Sequence, residues 1–189
     1  MVSRREKYES RLMFIKIKLF CILFFSINGF AMVIDNLDDT RARWDAISDN
    51  VMGGVSEVNF YEMNDGSANF YRLEGLVSTK NNGGFIQSRT NVNFNSNEFT
   101  GVRIKIRGNG NEYYVNLRRP RMMPWNYFTA KFYASEDWQV IDLPLSSFTY
   151  SRNPNIGLGS ARIRSLAIVA YGKDSVSYTH LRAHETTHD

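Results

Sequence analysis

Residues 32–174 contain no histidine and no cysteine. That removes the commonest general base, every thiol nucleophile and nearly all zinc ligand sets from most of the chain. A serine triad lacks its histidine there, and only carboxylate chemistry is left. The single cysteine, Cys21, lies in an apolar leader, so no disulfide framework exists. A surplus of positive charge is missing as well. Residues 32–174 carry sixteen Lys/Arg against fifteen Asp/Glu, while residues 1–31 carry six against two. The basic balance of the whole chain therefore belongs to the leader, and a nucleic-acid partner is not expected. Long apolar periods are absent too. No stretch keeps a 3.6-residue apolar repeat over ten residues, which argues against helices as the framework.

What is present begins with an export pattern over residues 13–31. Lys16 and Lys18 precede the apolar run Leu19–Ile27, and Gly29-Phe30-Ala31 supplies small residues at the −3 and −1 positions of a cleavage site. The apolar run falls well short of the ~20 residues that span a bilayer as a helix. We expect residues 1–31 to be a signal peptide, with a true start at Met13 as the alternative. The mature protein is then periplasmic or secreted, without a stable membrane span.

From Glu57 onward the chain reads as short β runs separated by turns. Val58–Glu62 and Ala68–Leu73 flank the hairpin signal Asn64-Asp65-Gly66. Val102, Ile104 and Ile106 alternate with Arg103, Lys105 and Arg107. Phe85–Arg89, Tyr113–Leu117, Tyr127–Tyr133, Gln139–Leu143 and Arg164–Tyr171 continue the series. Half-buried alternation at this spacing predicts an all-β fold, an antiparallel β-sandwich over residues 32–174.

Three segments carry more information than their β character. The first is Trp44–Ser56, WDAISDNVMGGVS, with Trp44, Asp49, Asn50, Gly53, Gly54 and Ser56. The second is Asn81-Asn82-Gly83-Gly84-Phe85 with Arg89, and the third is Trp138 followed by Asp142-Leu143-Pro144-Leu145 and Phe148. Read as conformation alone, Asp49 and Asn50 cap a turn, Gly53 and Gly54 set its backbone, and Phe85 fills the core beside Trp44 and Trp138. As strings in this order, the segments resemble the complex I intermediate-associated protein 30 family over roughly Val33 to Lys173. The resemblance implies a jelly-roll of the galactose-binding-like type. It also implies, for the family's eukaryotic members, an assembly factor or chaperone for respiratory complex I intermediates. The same fold implies, by analogy, a carbohydrate-binding module.

Residues 175–189, SVSYTHLRAHETTHD, hold all three histidines and resemble a translated sequencing adapter. We expect them to be a non-native tail and the sandwich to lack its last strand. The tail contains His184-Glu185-Thr186-Thr187-His188, which matches the zinc motif H-E-x-x-H. That motif works on a buried helix with a third ligand elsewhere. His180 is the only other histidine, and no metal site is assigned.

A loop between two strands holds Arg118, Arg119, Arg121, Pro120, Pro124, Trp125 and Tyr127. Arginine forks beside aromatic rings suit carboxylate, phosphate or sugar contacts. In the alternative reading Trp125 and Phe128 cap the core and the arginines are solvated. Asp49, Glu74, Glu112 and Asp142 are the carboxylates a hydrolase would draw on, but most carboxylates in such a fold are surface charges or turn formers. Asp35, Asp38 and Asp39 form an oxygen set of the type that holds structural calcium, although such sites draw on dispersed positions and no cofactor is assigned. The reading is a non-catalytic exported protein that binds a protein partner as an assembly factor or, alternatively, a carbohydrate.

Overall fold

The computed structural model of the protein describes residues 31–37, 43–171 and 175–187; within the last span side chains are described only at Thr179, His180 and Leu181, and that of Asn82 is not described. The expected signal peptide, as well as Asp38, Asp39 and His188, lies outside the described residues. Among the described residues no helix is long and apolar enough to cross a membrane.

The chain forms strands β1 (Met32–Asp35), β2 (Trp44–Ser48), β3 (Glu57–Asn64), β4 (Asn69–Val77), β5 (Phe85–Asn95), β6 (Gly101–Arg107) and β7 (Asn111–Arg118). These are followed by β8 (Phe128–Ala134), β9 (Gln139–Pro144), β10 (Thr149–Tyr150), β11 (Asn153–Gly157), β12 (Arg162–Tyr171) and β13 (Ser175–Thr187). One sheet runs β3-β4-β13-β6-β9, with β1 also on β13, and the other runs β11-β10-β8-β7-β12-β5-β2. All their pairings are antiparallel. The fold is an all-β antiparallel sandwich.

Period-two patterning explains the core. On β6, Val102, Ile104 and Ile106 are fully buried, and Arg103, Lys105 and Arg107 take the other face. With Leu181 they meet Ile86, Val115, Leu117, Leu166 and Ile168 of the second sheet. Each such side chain contributes roughly 1.5–3 kcal/mol by leaving water. The Asn64-Asp65-Gly66 turn also behaves as its chemistry predicts. Asp65 Oδ1 accepts from Ser67 N and Ala68 N, and Gly66 sits at φ 84°.

One expectation is overturned. The sandwich does not lack its closing strand, because Ser175–Thr187 lies between β4 and β6. Leu181 pairs with Tyr71 on one side and Ile106 on the other, and is fully buried. The H-E-x-x-H run is correspondingly extended through Thr187.

Candidate functional site

Asp49 opens a short 3-10 turn, Asp49–Met52, at the end of β2. The turn stops at Gly53, whose φ of 87° favours glycine. The Asp49 side chain points inward and is fully buried. Its Oδ1 accepts from Ser56 N at 2.9 Å, and its Oδ2 from Ser56 Oγ and Gly84 N at 2.5 Å each. Phe85 N adds a longer contact at 3.3 Å. Ser56 Oγ accepts in turn from Ser78 N at 2.9 Å. One carboxylate thus joins the turn after β2 to the loop before β5.

The two glycine pairs follow from that carboxylate. A Cβ on Gly54 or on Gly83 would collide with the Asp49 side chain. Gly84, at φ 126°, presents its N–H to Oδ2. Burial alone would raise the carboxyl pKa, but the bonds from Ser56, Gly84 and Phe85 outweigh it and hold the value below 3.8. Asp49 is therefore ionised, satisfied and structural. Capping falls instead to Ser48, whose Oγ accepts from Asn50 N, while the Asp49 carboxylate bonds beyond the turn to Ser56 and, 35 residues away, to Gly84.

The clamp shapes one wall of a cleft of about 660 Å³ on the outer face of the second sheet. Val51, Met52, Gly83, Gly84 and Phe85 form that wall, and Pro124, Trp125 and Tyr127 of the loop between β7 and β8 form the opposite one. The floor comes from outward positions of β5, β12 and β7: Gln87, Arg89, Val169, Tyr171, Asn116 and Arg118. Gln87 and Asn116 are each only 5% exposed, and among the described residues Asn116 Oδ1 has no hydrogen-bond partner. Trp125 is 48% exposed. Tyr171 stacks on Tyr114 with ring centroids 4.3 Å apart, and burial pushes its phenol pKa up to about 12. Among the described residues that line the cleft there is no carboxylate, histidine or cysteine.

The structure divides the predicted arginine loop. Arg118 lines the cleft and donates from Nη2 to Pro124 O at 2.5 Å. Arg119 turns away, with its guanidinium 4.5 Å from the Phe128 ring centroid and hydrogen-bonded to Leu158 O. Arg121 is exposed at φ 61°, outside the cleft lining. Core-capping falls to Phe128, which is buried, while Trp125 is a cleft residue.

The signature residues divide likewise. Arg89 and Phe85 belong to the cleft, so Phe85 does not fill the core beside Trp44 and Trp138. Trp44 packs on Phe60 and Tyr71, and its indole donates to Asp35 Oδ2 at 2.7 Å. Asp35 is buried and also accepts from Leu37 N, which ties β1 to the core instead of leaving its carboxylate open to a cation. Asn50 N donates to Ser48 Oγ at 3.4 Å; the Asn50 side chain is exposed. Asn81 holds the left-handed turn before Gly83, at φ 57°, and Asn82 completes it. The remaining hydrolase carboxylates are scattered and paired: Asp142 with Arg103, Glu112 with Lys131, Glu74 with Arg72. Sequence reasoning passed over Gln87, Asn116 and Tyr171, whose only signal was their place on the polar side of alternating strands.

The sequence model of the complex I intermediate-associated protein 30 family matches residues 34–179. The chain belongs to that family. For the family member described here, curated proteins return no match. Solved structures do. A family 11 carbohydrate-binding module from Clostridium thermocellum, in complex with a β-1,3-1,4-mixed-linked tetrasaccharide, superposes with a TM-score of 0.64 at 12% identity, over 82% of this chain and 94% of that one. The family 11 module of a cellulosomal cellulase of the same organism gives 0.66 at 12% identity, over 84% and 95%. A family 30 module from a C. thermocellum cellulase gives 0.56 at 13% identity, over 85% and 99%. These likenesses establish a shared jelly-roll sandwich and, at such identities, nothing more.

Proposed function

We propose that this family member is a non-catalytic binding protein whose cleft takes a carbohydrate chain. One observation carries the reading: a half-exposed indole, Trp125, on the wall of one concave cleft shares that cleft with the buried polar floor residues Gln87 and Asn116. A sugar ring presents an apolar C–H face to stack on an aromatic and hydroxyls to bond to amides and guanidinium groups. The cleft volume lies within the roughly 300–1,000 Å³ usual for ligand sites. The export pattern of residues 13–31 suits a ligand met outside the cytoplasm.

The family's name supports a second reading, an assembly factor that holds a protein. Val51 and Met52, exposed on the cleft wall, favour it, because exposed apolar side chains beside a groove suit a protein segment. A glycan array with the wild-type protein and Trp125→Ala, run beside thermal melts, tests the first reading. Retention of glycans by the wild type, weakened about 5- to 150-fold in a variant with unchanged melting, is the expected result. No glycan retained by the wild type overturns it.

A further inference from the structure

The cleft brings two arginines together without an acid to answer them. Arg89, Ala167 and Asn116 stand in one row across β5, β12 and β7, and Arg118 follows Asn116 two residues on, on the same side of β7. Ala167 is small, so the row has a low centre between the arginine and the amide. Arg89 and Arg118 are close enough for the charge of one to disfavour the charge of the other. The Arg118 pKa is lowered by burial first and by Arg89 second. Among the described residues neither guanidinium has an ion-pair partner, and no carboxylate lines the cleft. Asp45 faces Arg89 across β2 and β5 in register but forms no ion pair with it.

Two like charges held together at a partly dry site are costly unless something negative joins them. Arginine forks meet planar or tetrahedral oxyanions with two parallel N–H donors. Beside them lies an acceptor of the opposite need: Asn116 is 5% exposed and its Oδ1 has no donor among the described residues. A buried acceptor left unpaired is costly, and a ligand hydroxyl would remove that cost. The site therefore asks for one molecule that is both anionic and hydroxylated.

We infer that the cleft selects acidic sugars, with an oxyanion substituent of the sugar bound between Arg89 and Arg118 and a hydroxyl donated to Asn116 Oδ1. This deepens the carbohydrate reading and rests on it. A carboxylate of a uronic acid and a sulfate ester share the required chemistry. Trp125 then serves the ring, and the arginines set the charge preference.

The experiment is calorimetric titration of the full chain with four probes: an oligogalacturonate, a sulfated galactan oligosaccharide, a neutral mixed-linked β-glucan oligosaccharide and polyglutamate. An acidic oligosaccharide should bind at least tenfold more tightly than the neutral one, and the advantage should shrink with added salt. Whichever acidic probe binds better identifies the oxyanion as carboxylate or sulfate. Arg89→Gln should reduce the acidic-to-neutral affinity ratio about tenfold. Arg118 also supports the loop through Pro124, so Arg118→Lys, which keeps the charge and loses the fork, is the companion to Arg118→Gln. The ratio should fall in both. Equal or tighter binding of the neutral oligosaccharide overturns this inference and leaves the carbohydrate reading standing. Polyglutamate binding as tightly as the acidic sugars also overturns it, because charge alone would then suffice. Binding of none of the oligosaccharides defeats the carbohydrate reading itself. A ratio unchanged in both Arg89→Gln and Arg118→Gln removes the oxyanion from this pair.

Discussion

The hydroxyl of Ser56 donates to the buried carboxylate of Asp49 at 2.5 Å, and the Ser56 N–H donates to the other oxygen of that carboxylate at 2.9 Å. This pair fixes the turn that carries Val51 and Met52 onto the cleft wall. Asp49→Asn removes the charge and sets an amide N–H₂ among groups that all donate. It should cost about 2–4 kcal/mol in urea unfolding at pH 7. The pH dependence has a definite sign. The folded carboxyl has the lower pKa, so its contribution is complete above 3.8 and is lost as pH falls through the folded value. The gap between wild type and Asp49→Asn should therefore close on acidification below pH 3.8.

Gly83→Ala and Gly54→Ala place a methyl group against the Asp49 carboxylate. Each should lose about 1–3 kcal/mol or more of stability, because the clamp must shift to admit it. Gly157→Ala is the control, since its Cβ meets nothing within 4 Å. That change should stay within about 0.5 kcal/mol in the same denaturant melts.

These positions also show what was legible beforehand. The alternation of Val102, Ile104 and Ile106 was enough to place β6, because an exposed face and a buried face differ in polarity at period two. Asp49 and the glycines were visible as a string. Their purpose was not, because Gly84 lies 35 residues away and its bond to Asp49 exists only once β2 and β5 pair. Asn116 was silent for a related reason. A polar residue at an outward strand position normally meets water, and this one is covered by neighbours from other strands and loops. β13 was missed because SVSYTHLRAHETT is short of large apolar residues, and a strand between two partners is held by backbone bonds that its side chains do not advertise.

His180 gives a second, separate pH window. It is 3% exposed on β13, beside the rings of Phe70 and Trp138, with Arg107 and Arg72 near it. Burial first, then the charges of Arg107 and Arg72, lower its pKa from 6.5 to about 4. The unfolded chain takes up a proton that the folded one refuses, so stability should fall between pH 6.5 and 4, by on the order of 3 kcal/mol. In urea melts over that range, His180→Phe should flatten this slope without affecting the loss below pH 3.8 that belongs to Asp49.

Trp125→Ala separates the two roles once considered for that ring. At 48% exposure it should cost under about 1 kcal/mol in a denaturant melt. Phe128→Ala, in the core, should cost roughly 3–5 kcal/mol.

The most direct test of the central claim is a two-dimensional amide NMR titration of the ¹⁵N-labelled protein with an oligosaccharide that it retains. The account predicts that shifts concentrate on Gly83, Gly84, Arg89 and Asn116 and on the indole N–H of Trp125, the residues that meet around one cleft. Shifts gathered instead on the outer face of β3, β4 and β6, with the Trp125 indole unmoved, would contradict it.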